Sequence, residues 1–250
     1  MPSPRVEHVM GTPVVVEIRD DGVPDSAADE VFDWLRWVDA VFSTYRADSE
    51  ISRIDRGELA VEDACAEVRE ILERCDELRE ETRGFFDARY GGRLDPSGLV
   101  KGWSVDRAAT ILDEAGVHEY GISAGGDMRL RGTWRVGIQH PRERLAVAAI
   151  VEAADLAIAT SGAYVRGEHV LDPHSRSAPD GVLSVAITGP ELAIADAYAT
   201  AAFAMGGALA AHWTASLPSG YGAMTILEDD RVLTTPGFGR SWATLPAAGD

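Results

Sequence analysis

Two apolar periodicities run through this chain, and they are segregated in blocks. Spacing of three and four residues predicts a helix over 26–42, with Ser26 as its N-cap and a stripe of Ala27, Ala28, Val31, Leu35, Val38, Val41 and Phe42. Trp34 and Trp37 widen that stripe, and core packing accounts for both. A second helix is predicted over 61–83, through Val68, Ile71, Cys75 and Leu78, with Gly84 placed as its C-terminal stop. A third starts near Ser104 and carries Val105, Ala108, Ile111 and Leu112.

Apart from an early β-branched run at 13–19, the strand signals gather in the second half. They fall near 120–123, 128–131, 134–139, 146–152, 156–160, 183–188, 223–227 and 232–235, with an Ala-rich helix over 194–213 between the later ones. Such blocks rule against regular βαβ alternation. They predict an α+β fold of mixed or antiparallel sheets with packed helices, read as a single domain over 1–250.

Charge narrows the function. There are 41 acidic and 23 basic residues, a net charge of −18, which argues against nucleic acid and against a polybasic membrane anchor. Lys101 is the only lysine, the rest of the basic residues being Arg. Codon bias explains the Arg, yet a lone ammonium is worth following because the two cations differ at a compact charge site. Cys65 and Cys75 fall on one predicted helix, about 15 Å apart along its axis, too far for a disulfide. Two reduced thiols, with no apolar leader and no run of transmembrane length, predict a cytoplasmic protein.

Four segments could carry chemistry. DPSGLVKGWSVD, from Asp95 to Asp106, brings a Gly-rich turn and Lys101 up to the predicted helix start at Ser104, an arrangement able to hold an anion. A plain turn into a helix explains it equally well, and the spacing is not that of a P-loop. GGD, Gly125 to Asp127, reads first as a tight hairpin turn. ATSGAYVRGEHVLDP offers Ser161, Gly162, and His169 three residues before Asp172. In ADAYATAAFAMG, Asp196 and Thr200 share one helical face, two oxygen donors of the kind Mg²⁺ takes. The plainer reading of that pair is a first-turn Asp facing the helix dipole and a Thr bonded back to its own helix.

In this order the segments resemble the ApbE family of FAD:protein FMN transferases. The resemblance also takes in VEHVMGTPVVVEI, STYRADSEISRI, GFFDARYG and GIQHP, and spans roughly Glu7 to Gly207. It implies an ApbE-like fold with a ligand cleft between lobes. Met10, Tyr45, Phe85, Phe86, Asp87, Asp95, Lys101 and Leu171 match FAD-binding positions. Gly98 by its carbonyl, Asp196, Thr200 and a main-chain oxygen of Ala199 match the Mg²⁺ site, and His169 matches the histidine that serves the chemistry.

Two departures stand out. Ala199 replaces the Asp or Ser of many members, and HSRSAP, from His174 to Pro179, replaces a common RTG. The activity implied is Mg²⁺-dependent transfer of FMN from FAD to a Ser or Thr hydroxyl of an acceptor flavoprotein, with release of AMP. The alternatives are hydrolysis of FAD to FMN and AMP by the same residues, and FAD binding without turnover.

Overall fold

The computed structural model describes residues 3–143, 145–162 and 170–239. Eight strands form one antiparallel sheet: β1 (Arg5–Val9), β2 (Thr12–Ile18), β3 (Tyr120–Ala124), β4 (Asp127–Arg131), β7 (Ala157–Gly162), β8 (Val182–Gly189), β9 (Gly222–Leu227) and β10 (Val232–Thr234), adjacent in that order. β5 (Thr133–Gln139) and β6 (Val147–Ala154) pair as a separate antiparallel ribbon.

The strand period explains how the layers assemble. On β7, Ala157 and Ala159 join the large core under the helices, while Ile158 between them joins a second cluster with Trp134, Ile138 and Val151 of the ribbon. β8 divides in the same way, Val185 and Ile187 to one side and Ala186 to the other. These strands are therefore buried on both faces, which is why they read as continuous apolar runs.

The helical layer consists of α1 (Asp25–Phe42), α2 (Glu50–Asp55), α3 (Ala66–Glu81), α4 (Ser97–Glu114), α5 (Leu192–Ala204) and α6 (Gly207–Thr214). α1 buries the expected stripe from Ala27 to Phe42. α5 is buried at every position except Thr200. A helix enclosed all round must be apolar all round, so it shows no polar face to the sequence reader. No helix among the described residues is long and apolar enough to cross a membrane.

Several boundaries differ from expectation. α1 begins at Asp25 with Pro24 in the capping position, so Ser26 is not the cap. The stretch 61–83 is a 3₁₀ turn (Val61–Asp63) followed by α3, with Cys65 just ahead of it. Both cysteines are free, and burial pushes the Cys75 thiol up to about 12. The Ala-rich helix is two helices, broken where Gly206 takes φ 73° and Gly207 N donates to Asp180 O.

The largest revision concerns α4, which starts at Ser97 rather than Ser104. Asp95 Oδ1 accepts the Ser97 N–H at 3.0 Å. Lys101 therefore lies inside the helix and does not precede its N-terminus. Gly98 and Gly102 are poor helix formers in isolation, but Gly102 is where α5 crosses. A Cβ there would stand 2.5 Å from Leu192 O.

One turn further along α4, Asp106 accepts the N–H groups of Leu192 and Ala193 at 3.0 and 2.8 Å, capping α5 from another helix. Burial pushes its carboxyl up to about 6, against those N–H groups and Arg129, which favour the charged form. The protonated form therefore contributes stability at acid pH that is lost as pH rises through about 6. The stability difference between the parent and Asp106→Asn is expected to shift against the parent between pH 4 and 7, on the order of 2 kcal/mol. Denaturant titrations at both pH values check this, and an unchanged difference contradicts it.

Candidate functional site

The C-terminal end of β7, the first turns of α4, the middle of α5 and the loop after α3 enclose a cleft of about 690 Å³. That is an ordinary size for a small-molecule site. Its floor comes from three elements. β7 supplies Thr160 and Ser161, α4 supplies Gly98 and Lys101, and α5 supplies Asp196 and Thr200. Gly125 of the β3–β4 turn reaches the same space. Gly125 and Gly126 both take positive φ, 61° and 101°, so the GGD segment is the tight hairpin its glycines suggest.

That turn delivers a residue the sequence reading did not single out. Asp127, the first residue of β4, points its carboxylate at Lys101, with Nζ to Oδ2 at 2.5 Å. Asp196 Oδ2 lies 3.4 Å from the same Nζ. The two carboxylate side chains are 3% and 5% exposed and the lysine 24%. Two buried carboxylates thus share the Lys101 ammonium, Asp196 lining the cleft and Asp127 standing behind the lysine. Asp127 was readable only by noticing that an acid ending a Gly-Gly turn enters its strand on the buried side.

The walls are aromatic. Phe85, Phe86, Asp87 and Tyr90 line one side in the loop after α3. Gly98 lets Phe86 lie on α4, because a Cβ there would sit 3.1 Å from its ring. Asp87 Oδ1 accepts Arg89 N, and Asp95 N donates to Ala88 O, so both acids are tied into the loop they line. His174 braces this wall. Its ring meets Phe85 edge-on at 4.6 Å and its Nε2 is 3.1 Å from Arg83 O. Met10 closes the cleft near α4, its Sδ 3.6 Å from Ser104 Oγ, with φ at 54°. Tyr45 stands at the mouth, 97% exposed. Leu171, Val170 and Pro173 also line the space.

The cleft thus brings together Met10, Tyr45, Phe85, Phe86, Asp87, Asp95, Gly98, Lys101, Leu171, Asp196 and Thr200. Ala199 is fully buried in α5 and is not among the lining residues. His169 lies outside the described residues. The HSRSAP segment follows Pro173 at the cleft edge, where Asp172 accepts the His174 and Ser175 N–H groups.

The donor set on the floor suits a hard divalent cation: carboxylates, the Thr200 hydroxyl and, 3.4 Å from it, the Ser161 hydroxyl. No group of three or more His, Cys, Asp or Glu side chains poised for a metal occurs among the described residues. A cation here would complete its shell with main-chain oxygen, water or phosphate, as Mg²⁺ commonly does.

Known proteins resemble this chain in sequence and in fold. The profile of the ApbE family matches residues 10–93 and 89–225. Over 129 residues the chain is 36% identical to a protein of Vibrio cholerae serotype O1 named FAD:protein FMN transferase, covering 45% of this chain and 39% of that one. It is 32% identical over 129 residues to the protein of the same name in Escherichia coli K12, covering 45% and 37%. The aligned stretches are well under half the length of these relatives. The solved structure of flavin transferase ApbE from Vibrio cholerae superposes with a TM-score of 0.83 at 24% identity, covering 94% of this chain and 97% of that one. The ApbE protein of Thermotoga maritima gives 0.82 at 22%, covering 96% and 99%.

Proposed function

The chain belongs to the ApbE family, and on that premise we propose that it transfers FMN from FAD to a Ser or Thr hydroxyl of an acceptor flavoprotein, with Mg²⁺ as cofactor and AMP as leaving group. The observation that carries this reading is the cleft floor. Lys101, Asp196 and Thr200 meet there beneath an aromatic wall, so one cavity offers a phosphate and cation site beside a surface for a flat ring. The free thiols fit a reducing compartment, which we take to be the cytoplasm.

Phe85, Phe86 and Tyr45 hold and orient the flavin nucleotide. Lys101 faces the pyrophosphate. Asp196 and Thr200, with the Gly98 main chain as a further candidate, would hold Mg²⁺, which would supply charge neutralisation at the phosphates; Ala199, buried and away from the lining, would not take part. The acceptor oxygen forms a bond to the FMN-side phosphorus. The bond from that phosphorus to the bridging oxygen breaks, and AMP departs. The hydroxyl proton passes to His169 acting as general base. Little covalent work falls to the protein, and placement with electrostatics accounts for most of the rate.

Incubation with FAD and Mg²⁺, with and without a flavin-acceptor domain, tests this. Protein-linked FMN supports transfer. Free FMN in both reactions marks a hydrolase, and unchanged FAD marks a binding protein.

Two variants sharpen it. Lys101→Ala is expected to weaken FAD binding about tenfold, read by flavin fluorescence quenching, as the loss of one charge-assisted contact implies. An unchanged affinity removes Lys101 from the binding site. His169→Gln is expected to bind FAD normally while transfer falls about 10²- to 10⁴-fold. Transfer at the parent rate would remove His169 from the chemistry.

A further inference from the structure

We propose that Asp127 is a positioning residue: it holds the Lys101 ammonium away from Asp196 and thereby sets how tightly the cleft floor takes a divalent cation. The inference rests on the reading that this floor binds such a cation.

Asp127 is held rigidly. It follows directly on the Gly125–Gly126 turn, and its Oδ1 accepts the Thr160 N–H at 2.8 Å, fixing the carboxylate across β4 and β7. The other oxygen faces Lys101 Nζ at 2.5 Å. Asp196 stands on a different element, α5, and shares the same ammonium at 3.4 Å. An ammonium on Asp196 and a divalent cation on Asp196 compete for one oxygen, because charges of like sign repel strongly at such a distance in a partly dry site.

The two carboxylates therefore have different tasks. The nearer one, on the sheet, takes the ammonium. The farther one, on the helix, is held by that ammonium more loosely, at 3.4 Å, and is the one a cation in the cleft can reach. Without the Asp127 charge, the Lys101 ammonium would close on Asp196 and compete there with a metal. Asn at 127 keeps an oxygen for the Thr160 N–H, so Asp127→Asn removes the charge while leaving that brace available.

Titration of Mn²⁺ into the full chain, alone and with saturating FAD, tests the assignment by calorimetry and by the spin-resonance signal of free Mn²⁺. Asp127→Asn is expected to weaken Mn²⁺ binding about tenfold or more. Lys101→Met is expected to tighten it by a similar factor, and the double variant to return close to the parent. That rescue separates positioning from a purely structural role, in which a melting-temperature loss in Asp127→Asn would not be repaired by Lys101→Met. Parent-like Mn²⁺ affinity in Asp127→Asn overturns the proposal. So does a double variant as weak as Asp127→Asn, since Asp127 would then be a ligand itself.

If Asp127→Asn fails to fold, Lys101→Met alone decides: tighter binding supports the proposal and unchanged or weaker binding overturns it. A parent that binds Mn²⁺ in neither condition overturns both this proposal and the cation reading beneath it. A parent that binds, with variants no different, overturns this one alone.

Discussion

Asp196→Ala protein is expected to fold and to transfer no measurable FMN at any Mg²⁺ concentration. The fold should survive because the deletion leaves a balanced pair: Lys101 keeps Asp127 at 2.5 Å, and no buried ammonium is stranded. Alanine is also compatible with a helix that is already mostly small residues from Ala193 to Ala204. What is lost is the only carboxylate that α5 brings to the cleft. Metal polarisation of a phosphoryl group is worth several kcal/mol, so the rate should fall on the order of 10³-fold or more. Protein-linked flavin fluorescence across a Mg²⁺ series, alongside a thermal melt, makes the measurement. A variant that folds and transfers at the parent rate would show that Asp196 is not the metal's anchor.

Gly102→Ala is the second substitution with a large effect, and here the damage begins with the fold. A Cβ at 102 would stand 2.5 Å from Leu192 O and 2.7 Å from both Ala193 N and Ala193 Cα. All three are backbone atoms, so no side chain can rotate out of the way. α4 and α5 must move apart, and Asp106 then loses its hold on the Leu192 and Ala193 N–H groups. Overpacking of this kind costs about 1–3 kcal/mol or more, equivalent to a melting point lower by roughly 5 °C or more for a chain of this length. Activity should fall further than stability explains, because Lys101 precedes Gly102 and Asp196 lies one turn beyond Ala193, on the two helices being separated. A melting curve and a transfer assay well below the melting point check both parts. An unchanged melting temperature would mean that the crossing is looser than these distances indicate.

Much of this was legible in the sequence, for physical reasons particular to each segment. The α1 stripe could be read because that helix has one dry and one wet face. The β7, β8 and β9 runs could be read as strands because they are short and β-branched, although nothing in them told which residues face the helices and which the ribbon. The start of α4 was misplaced because Gly98 and Gly102 lower local helix propensity. What restores the helix is contact with Phe86 and with the α5 backbone, both distant in the chain. The break at Gly206 was hidden by alanines that suit a helix on either side. The backbone of Asp180, which forces it, is remote in sequence. Asp127 is hard to read from the sequence because Gly-Gly followed by an acid is an ordinary turn signal. Which way a turn aims the next side chain depends on strand pairing, here Ala124 opposite Asp127.

Lys101 carries one more consequence. It supplies the chain's only ε-amine, and that amine sits at the bottom of the cleft between two acids. An acylating reagent therefore has a single lysine to find, and acylation would erase the ammonium that lines the cleft beside Asp196. The acylated fraction of the peptide that carries Lys101, which separates this ε-amine from the α-amine of the chain, becomes a count of open clefts, and a dinucleotide in place is expected to shield the amine and lower that fraction. The same arithmetic applies to adventitious acylation in a cell: on this chain any lysine acyl mark is, by position, a block on the cleft.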